Sequence, residues 1–181
     1  MTKGYIIDFG GTLDTNGCHW GRFLWHAYQQ RQVPVGWQEF SEAYVHVERL
    51  LGKGSIIRPE HTLRQTLSIK LRLQMEHLIG KGYWYGAPLE MERYHAGVLQ
   101  DVYDSVSLQM QTSRQVLARL TQSVPLVLCS NFYGNLPSVL REFELDGFFV
   151  AVCLKGEPWN YADADFAASP STRIITDLKE L

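Results

Sequence analysis

The chain begins with a short apolar run that is followed at once by an acid and two glycines. Residues 5–7, Tyr-Ile-Ile, have the composition of a buried β-strand, and Asp8 comes directly after them. Gly10 and Gly11 predict a sharp turn at the strand end. In an open α/β sheet, ligands bind at the carboxyl ends of strands, where glycines let backbone N–H groups approach an anion. Asp8 is therefore a candidate nucleophile or metal ligand, the alternative being an ordinary Gly-Gly turn with Asp8 as a helix cap.

The composition is that of an ordinary soluble globular protein. The 181 residues suit one domain or a core with a small insertion, with 45% apolar and 20% charged residues. A net charge of -2 gives no basic field for nucleic acid or anionic membranes, and no apolar stretch is long enough to span a bilayer. Three scattered cysteines and no visible signal peptide favour a cytoplasmic protein with no nucleic-acid or membrane partner.

Helical periodicity dominates the segment 16–100. Four apolar stripes at helical spacing follow one another there, and no β signal interrupts them. Gly52 ends the second stripe, Pro59 precedes the third, and the fourth runs from about Leu89 to Tyr103. This segment is therefore predicted to be an all-helical block between two parts of an α/β unit.

The α/β pattern resumes after the helical block. A short amphipathic helix, a buried parallel strand, a helix, a further strand and a terminal helix are predicted at 116–120, 124–129, 136–145, 148–154 and 174–181. Ser130 and Asn131 end the first of these strands, as Asp8 ends the N-terminal strand. We therefore expect Asp8 and Ser130 to end adjacent parallel strands and to face one crevice under the helical block.

The segment 8–13, Asp-Phe-Gly-Gly-Thr-Leu, resembles the first motif of the haloacid dehalogenase (HAD) superfamily, Asp-x-Asp-Gly-Thr-Leu/Val. Asp8, Gly11 and Thr12 match the motif, and so does Leu13. Gly10 departs from it, because the family's phosphatases carry a second aspartate at that place. That acid protonates the leaving group and later activates water.

The layout of the chain is similar to that of HAD enzymes with a helical cap inserted after the first motif. The resemblance implies an α/β fold in which 1–15 and 101–181 form a Rossmann-like parallel-sheet HAD core and 16–100 form the α-helical cap. Ser130 and Asn131 fit the second family motif, in which a hydroxyl at the end of the next core strand binds a phosphoryl oxygen.

Two further parts of the family pattern are not found. They are a lysine after the third core strand and an apolar strand ending in Gly-Asp, whose acids hold magnesium. Asp163 and Asp165 lack a preceding apolar strand and are interpreted as an acidic surface turn. Lys155 comes after the last strand, but 151–157 look more like the segment that relatives carry beyond the missing motif. The core is therefore expected to be incomplete, with a gap near 149–151 and three or four strands.

The resemblance implies a hydrolase, a phosphatase that acts on a small phosphorylated metabolite. Asp8 would attack the phosphate ester and form an aspartyl-phosphate, while Thr12, Ser130 and Asn131 would bind the transferring group. Mg²⁺ would be held by Asp8 and the backbone carbonyl of Gly10. Without the second aspartate, we expect activity to be weak or absent.

Two alternatives stay open. Relatives that cleave carbon–halogen or carbon–phosphorus bonds also lack the second aspartate, and the phosphonate-cleaving type needs a cap lysine. The other alternative is a non-catalytic HAD-fold protein that has lost its metal site.

The remaining polar side chains are weaker signals. All six histidines lie in the helical block without zinc-ligand spacing, and we interpret them as surface or packing residues. Four basic residues are predicted to form a solvated helix face, the alternative being that one of them reaches down to a substrate anion, as cap residues do in related enzymes: Arg64, Lys70, Arg72 and Lys81. Lys53, between two glycines, is the loop candidate for contact with a substrate anion.

Overall fold

The computed structural model describes residues 4–54 and 56–155, and for 153–155 it describes the backbone alone. The fold is mixed α/β and mostly helical. In chain order the elements are β1 (Tyr5–Ile7), α1 (Trp20–Gln30), α2 (Trp37–Leu51), α3 (Leu63–Gly80), α4 (Pro88–Leu120), β2 (Leu126–Asn131), α5 (Leu136–Glu142) and β3 (Ala151–Lys155). The predicted helix at 174–181 and the acids Asp163 and Asp165 lie outside the described residues.

The three strands form one parallel sheet in the order β1-β2-β3. Ile7 pairs with Leu128 of β2, and Ser130 of β2 pairs with Leu154 of β3. The prediction of adjacent parallel strands before Asp8 and at Ser130 is therefore confirmed. Within the described part of the chain the sheet has three strands, the lower of the two numbers expected.

The strand boundaries differ slightly from the prediction. The second strand extends through Ser130 and Asn131 rather than ending before them. The third begins at Ala151 because Asp146–Phe148 form one turn of 3-10 helix. Both shifts concern strand ends, where the apolar pattern carries the least information.

Helix α3 has the strongest local start signal of the chain. The Thr62 side chain accepts a hydrogen bond from the Gln65 backbone N–H at 3.2 Å, and the Gln65 side chain accepts one from the Thr62 N–H at 2.9 Å. This reciprocal capping box satisfies two donors that a helix end otherwise leaves open. It fixes where α3 begins and thereby the positions of the α3 side chains over the sheet.

The prediction of two separate helices at 89–103 and 116–120 is wrong. They are parts of α4, a single helix of 33 residues. Val106 and Met110 continue the buried stripe across the stretch that lacked a clear signal. Ser113 is also buried there, and its hydroxyl donates to the backbone carbonyl of Leu13 at 2.6 Å. A polar residue therefore sits on the packed face because it has a partner far away in sequence.

One apolar core joins the sheet to the helices. It runs without interruption from Ile7 and Leu128 in the sheet to Phe40, Leu71 and Val98 in the helices. Helix α3 packs between α2 and α4, so both of its sides face protein. Among the described residues, no helix combines the length and the apolar character that crossing a membrane would require.

Candidate functional site

A cavity of about 460 Å³ opens at the carboxyl ends of β1 and β2. Its walls come from the turn after β1, the end of β2, the start of α1 and the facing sides of α2 and α3. Asp8 and Asn131 line it from the strand ends. A cavity therefore lies at the strand ends beside the helical block, where the sequence predicts a crevice.

Asp8 opens into this cavity. The residue is solvent-accessible, but the surrounding walls displace enough water to raise the pKa of its carboxyl above the ordinary value. The Ser130 hydroxyl and the backbone N–H groups of Phe9 and Gly10 partly oppose that rise, with Phe9 N–H donating to Asp8 Oδ1 at 2.8 Å. The carboxylate thus keeps one oxygen tied to its own loop while it faces solvent in a concave site.

The two glycines after Asp8 form a tight turn. Gly10 has φ -70° and ψ 120°, and Gly11 has φ 84° and ψ -17°, which are the angles of a type II turn. The positive φ at Gly11 strongly favours glycine. At Gly10 the φ is ordinary, and an added Cβ would meet no atom within 4 Å. The missing second aspartate is therefore not excluded by the backbone or by steric contact.

Asp14 is a site residue that the sequence reasoning missed. It is fully buried, and its Oδ1 accepts the Gly11 N–H at 2.6 Å while its Oδ2 accepts the Trp20 Nε1–H at 2.8 Å. Burial raises the pKa of Asp14 to about 7, against the lowering effect of these hydrogen bonds. Asp14 therefore ties the glycine turn to the cavity wall. Only its closeness to Asp8 in sequence hinted at this role.

The remaining predicted site residues differ in their relation to the cavity. Ser130 is buried on β2, and its hydroxyl has no partner with good hydrogen-bond geometry among the described residues, although it is near enough to Asp8 to lower that pKa. Gly10 lies in the lining beside Asp8 and Asn131. Thr12 is half-buried in the turn and is not among the described lining residues.

The prediction that Lys70 lies on a solvated helix face is wrong. Lys70 is 4% exposed and lines the cavity from α3. Because α3 packs on both sides, position 70 continues the inward stripe that includes Leu63 and Leu67. The other three basic residues of that predicted face do reach solvent: Arg64, Arg72 and Lys81. Lys53 also reaches solvent, and it is not among the described residues that line the cavity.

The Lys70 ammonium is part of a polar cluster with Glu48 of α2 and Tyr133. It forms an ion pair with Glu48, and it donates to the Tyr133 hydroxyl at 3.3 Å. That hydroxyl donates in turn to Glu48 Oε2 at 2.6 Å, and burial beside Glu48 raises the pKa of Tyr133 well above its ordinary value. Sequence spacing does not reveal this cluster because its members lie on two helices and on the loop after β2.

The histidines behave as packing and surface residues. His95 is buried with its Nε2 at 2.8 Å from the Ser68 carbonyl, and His46 stacks on His77 with ring centroids 4.1 Å apart. His19 lines the cavity, where its Nδ1 accepts the Gly21 N–H at 3.0 Å at the start of α1.

The expected magnesium site can be tested against these donors. Asp8 offers a carboxylate and Gly10 a backbone carbonyl, whereas both oxygens of Asp14 already accept hydrogen bonds. Within 4–54 and 56–155, no group of three His, Cys, Asp or Glu side chains is placed to hold a metal ion. Because Mg²⁺ demands near-octahedral oxygen coordination, the described residues alone do not fit the site.

No protein-family model matches the chain, and comparison with curated proteins finds no match either.

Proposed function

We propose that the protein is a HAD-like hydrolase that acts slowly on small phosphate esters, with Asp8 as the nucleophile. The observation that carries the proposal is the position of Asp8, which directly follows β1 and opens into the cavity at the strand ends. The resemblance of 8–13 to the first HAD motif supports it. On this proposal, 1–15 and 101–181 are a reduced Rossmann-like HAD core, and 16–100 are its cap.

The geometry around Asp8 suits nucleophilic attack. Since Oδ1 accepts the Phe9 N–H, Oδ2 is the oxygen available to attack phosphorus. The ester P–O bond breaks, the electron pair leaves with the alcohol oxygen, and water then hydrolyses the aspartyl-phosphate. The raised pKa of Asp8 makes its carboxylate more basic, and hence a stronger nucleophile while ionised.

Two polar side chains beside Asp8 are suited to bind the phosphoryl oxygens. The buried Ser130 hydroxyl has no well-aligned partner among the described residues, and a buried hydroxyl without one is destabilising. A phosphoryl oxygen beside Asp8 would satisfy it. Asn131 lines the same cavity and carries an amide that can do likewise. Thr12 is proposed to bind the transferring phosphoryl group as well, as the resemblance implies.

Turnover is expected to be slow for two reasons. Gly10 carries no acid to protonate the leaving group, a loss of about 10²–10⁴-fold in rate. Apart from His19, the charged residues of the described lining are Asp8, Glu48 and Lys70, so an incoming phosphate meets more negative than positive charge.

The test is hydrolysis of p-nitrophenyl phosphate by the wild type and by Asp8→Asn, with and without added Mg²⁺. We expect slow release that is lost in Asp8→Asn. Turnover that survives this change would refute the nucleophile assignment. Binding of phosphate analogues without any turnover would instead favour the non-catalytic alternative.

The burial of Lys70 in the same cavity favours a second candidate function, cleavage of a carbon–phosphorus bond. The Lys70 amine would condense with a substrate carbonyl to give an imine and water. The protonated imine would then accept the C–P electron pair as the phosphoryl group passes to Asp8. The enamine so formed would take up a proton and be hydrolysed by water, which frees the carbonyl product and Lys70. Reduction with borohydride in the presence of phosphonoacetaldehyde would trap such an adduct on Lys70, and its absence would exclude this candidate.

A further inference from the structure

The polar cluster of Lys70, Glu48 and Tyr133 has no role in the phosphatase steps at Asp8. It nevertheless lies on the wall of the same cavity, with Lys70 4% and Glu48 7% exposed. A buried ion pair is costly to desolvate and contributes little net stability. Its position on a ligand-sized cavity calls for another explanation.

The hydrogen bonds of the cluster leave one donor free. An ammonium group has three N–H donors. Glu48 is the ion-pair partner of Lys70 and the Tyr133 hydroxyl accepts one of its N–H groups, and among the described residues no further hydrogen-bond acceptor of Lys70 is found. Because Glu48 neutralises its charge, Lys70 can give a ligand in the cavity a hydrogen bond but adds no net positive charge.

The surroundings of this donor are aromatic. The rings of Trp20, Tyr44 and Tyr133 have their centroids 5.5, 5.1 and 5.7 Å from the Lys70 ammonium. All three residues line the cavity, together with Phe132. Aromatic walls favour flat, apolar groups, and about 460 Å³ is within the range of small-molecule sites.

We infer that Lys70 is the specificity-determining residue of this cavity, and that the substrate is a phosphate monoester whose organic part is a flat ring bearing a hydrogen-bond acceptor. The phosphoryl group lies at Asp8, the ring lies between the aromatic walls, and the acceptor meets the free N–H of Lys70. This inference rests on the proposed function, since it takes the phosphoryl end of the ligand to be at Asp8.

The test uses phosphonates, in which a C–P bond replaces the ester bond. Calorimetry compares butylphosphonate, benzylphosphonate and the three isomers of pyridylmethylphosphonate, at a mildly alkaline pH where the pyridine nitrogen is uncharged. These probes contain no carbonyl, so they cannot form an imine with Lys70. We expect benzylphosphonate to bind more tightly than butylphosphonate, and at least one pyridyl isomer to bind about tenfold more tightly than benzylphosphonate.

Variants assign the preference to Lys70. The double variant Lys70→Met/Glu48→Gln removes both charges together, so that neither is left unpaired. It should bind the pyridyl isomers and benzylphosphonate equally. The control is Lys81→Met, at the exposed C-terminal cap of α3, which should keep the wild-type preference. If the double variant still prefers a pyridyl isomer over benzylphosphonate, the inference is overturned. It is also overturned if the wild type shows no such preference, and that measurement does not depend on the folding of any variant.

The outcomes separate the inference from the function on which it rests. If all five phosphonates bind equally and Asp8-dependent hydrolysis occurs, the inference fails and the proposed function stands. If none binds and no hydrolysis occurs, both fail.

Discussion

The indole N–H of Trp20 donates to the buried carboxylate of Asp14 at 2.8 Å, and the other oxygen of that carboxylate holds the Gly11 N–H. One fully buried acid thus connects the turn after Asp8 to an aromatic wall of the cavity.

Asp14 should make stability fall as the pH rises. Its pKa is about 7 in the folded protein against 3.8 ordinarily, so the folded state binds more protons than the unfolded state between these values. The free energy of unfolding should therefore decrease by up to about 4 kcal/mol from pH 4 to pH 7 through this group. Urea unfolding at several pH values should show a flatter profile for Asp14→Asn than for the wild type. Parallel profiles would contradict the assignment.

Gly11→Ala should damage the turn, and Gly10→Ala should not. At φ 84° an alanine is strained, which costs about 1–2 kcal/mol, whereas at Gly10 the φ is -70° and the space for a Cβ is open. We expect Gly11→Ala to lower both the melting temperature and the rate of p-nitrophenyl phosphate hydrolysis. Equal effects of the two alanines would mean that the turn conformation does not matter.

Gly10→Asp should restore little activity. A Cβ at position 10 meets no atom within 4 Å, but the described residues supply no complete metal site beside it. We expect less than about a tenfold gain in phosphatase turnover, below the range typical of acid–base catalysis. A gain of about 10²-fold or more that requires Mg²⁺ would contradict this expectation and show that the protein does hold a catalytic metal ion.

Lys70→Met alone should be more destabilising than Lys70→Met/Glu48→Gln. Removing one partner leaves the Glu48 carboxylate buried without its counter-ion, at a cost of about 3–5 kcal/mol, whereas removing both charges is far milder. Chemical unfolding of the two single variants and the double variant gives the coupling energy directly. Additive effects would show that the pair is not coupled in solution.

Much of the fold could be predicted from local pattern. The apolar run before Asp8, the strand that carries Ser130 and the stripes of the helical block each appear in the structure. Their parallel pairing could be predicted too, because a long helical connection between strands favours a parallel arrangement. The cavity at Asp8 is a consequence of that pairing.

The features that could not be predicted depend on partners that are distant in the chain. Lys70 looks like a surface lysine until Glu48 is found on the neighbouring helix. Ser113 adds nothing to the apolar stripe of its helix until the Leu13 carbonyl is found beside it. In both cases a buried polar residue has a specific partner, and hydrophobic periodicity carries no record of that partner.

Helix α4 limits how the cavity can open. With 33 residues it is about 50 Å long, and it runs without a break from the helical block to the loop before β2. One of the two connections between block and sheet is therefore a stiff rod rather than a hinge. The block cannot swing away from the sheet as a lid on two flexible arms. Any widening of the cavity is instead expected to come from local movement of α1 and α2, which contribute Trp20 and Tyr44 to its lining.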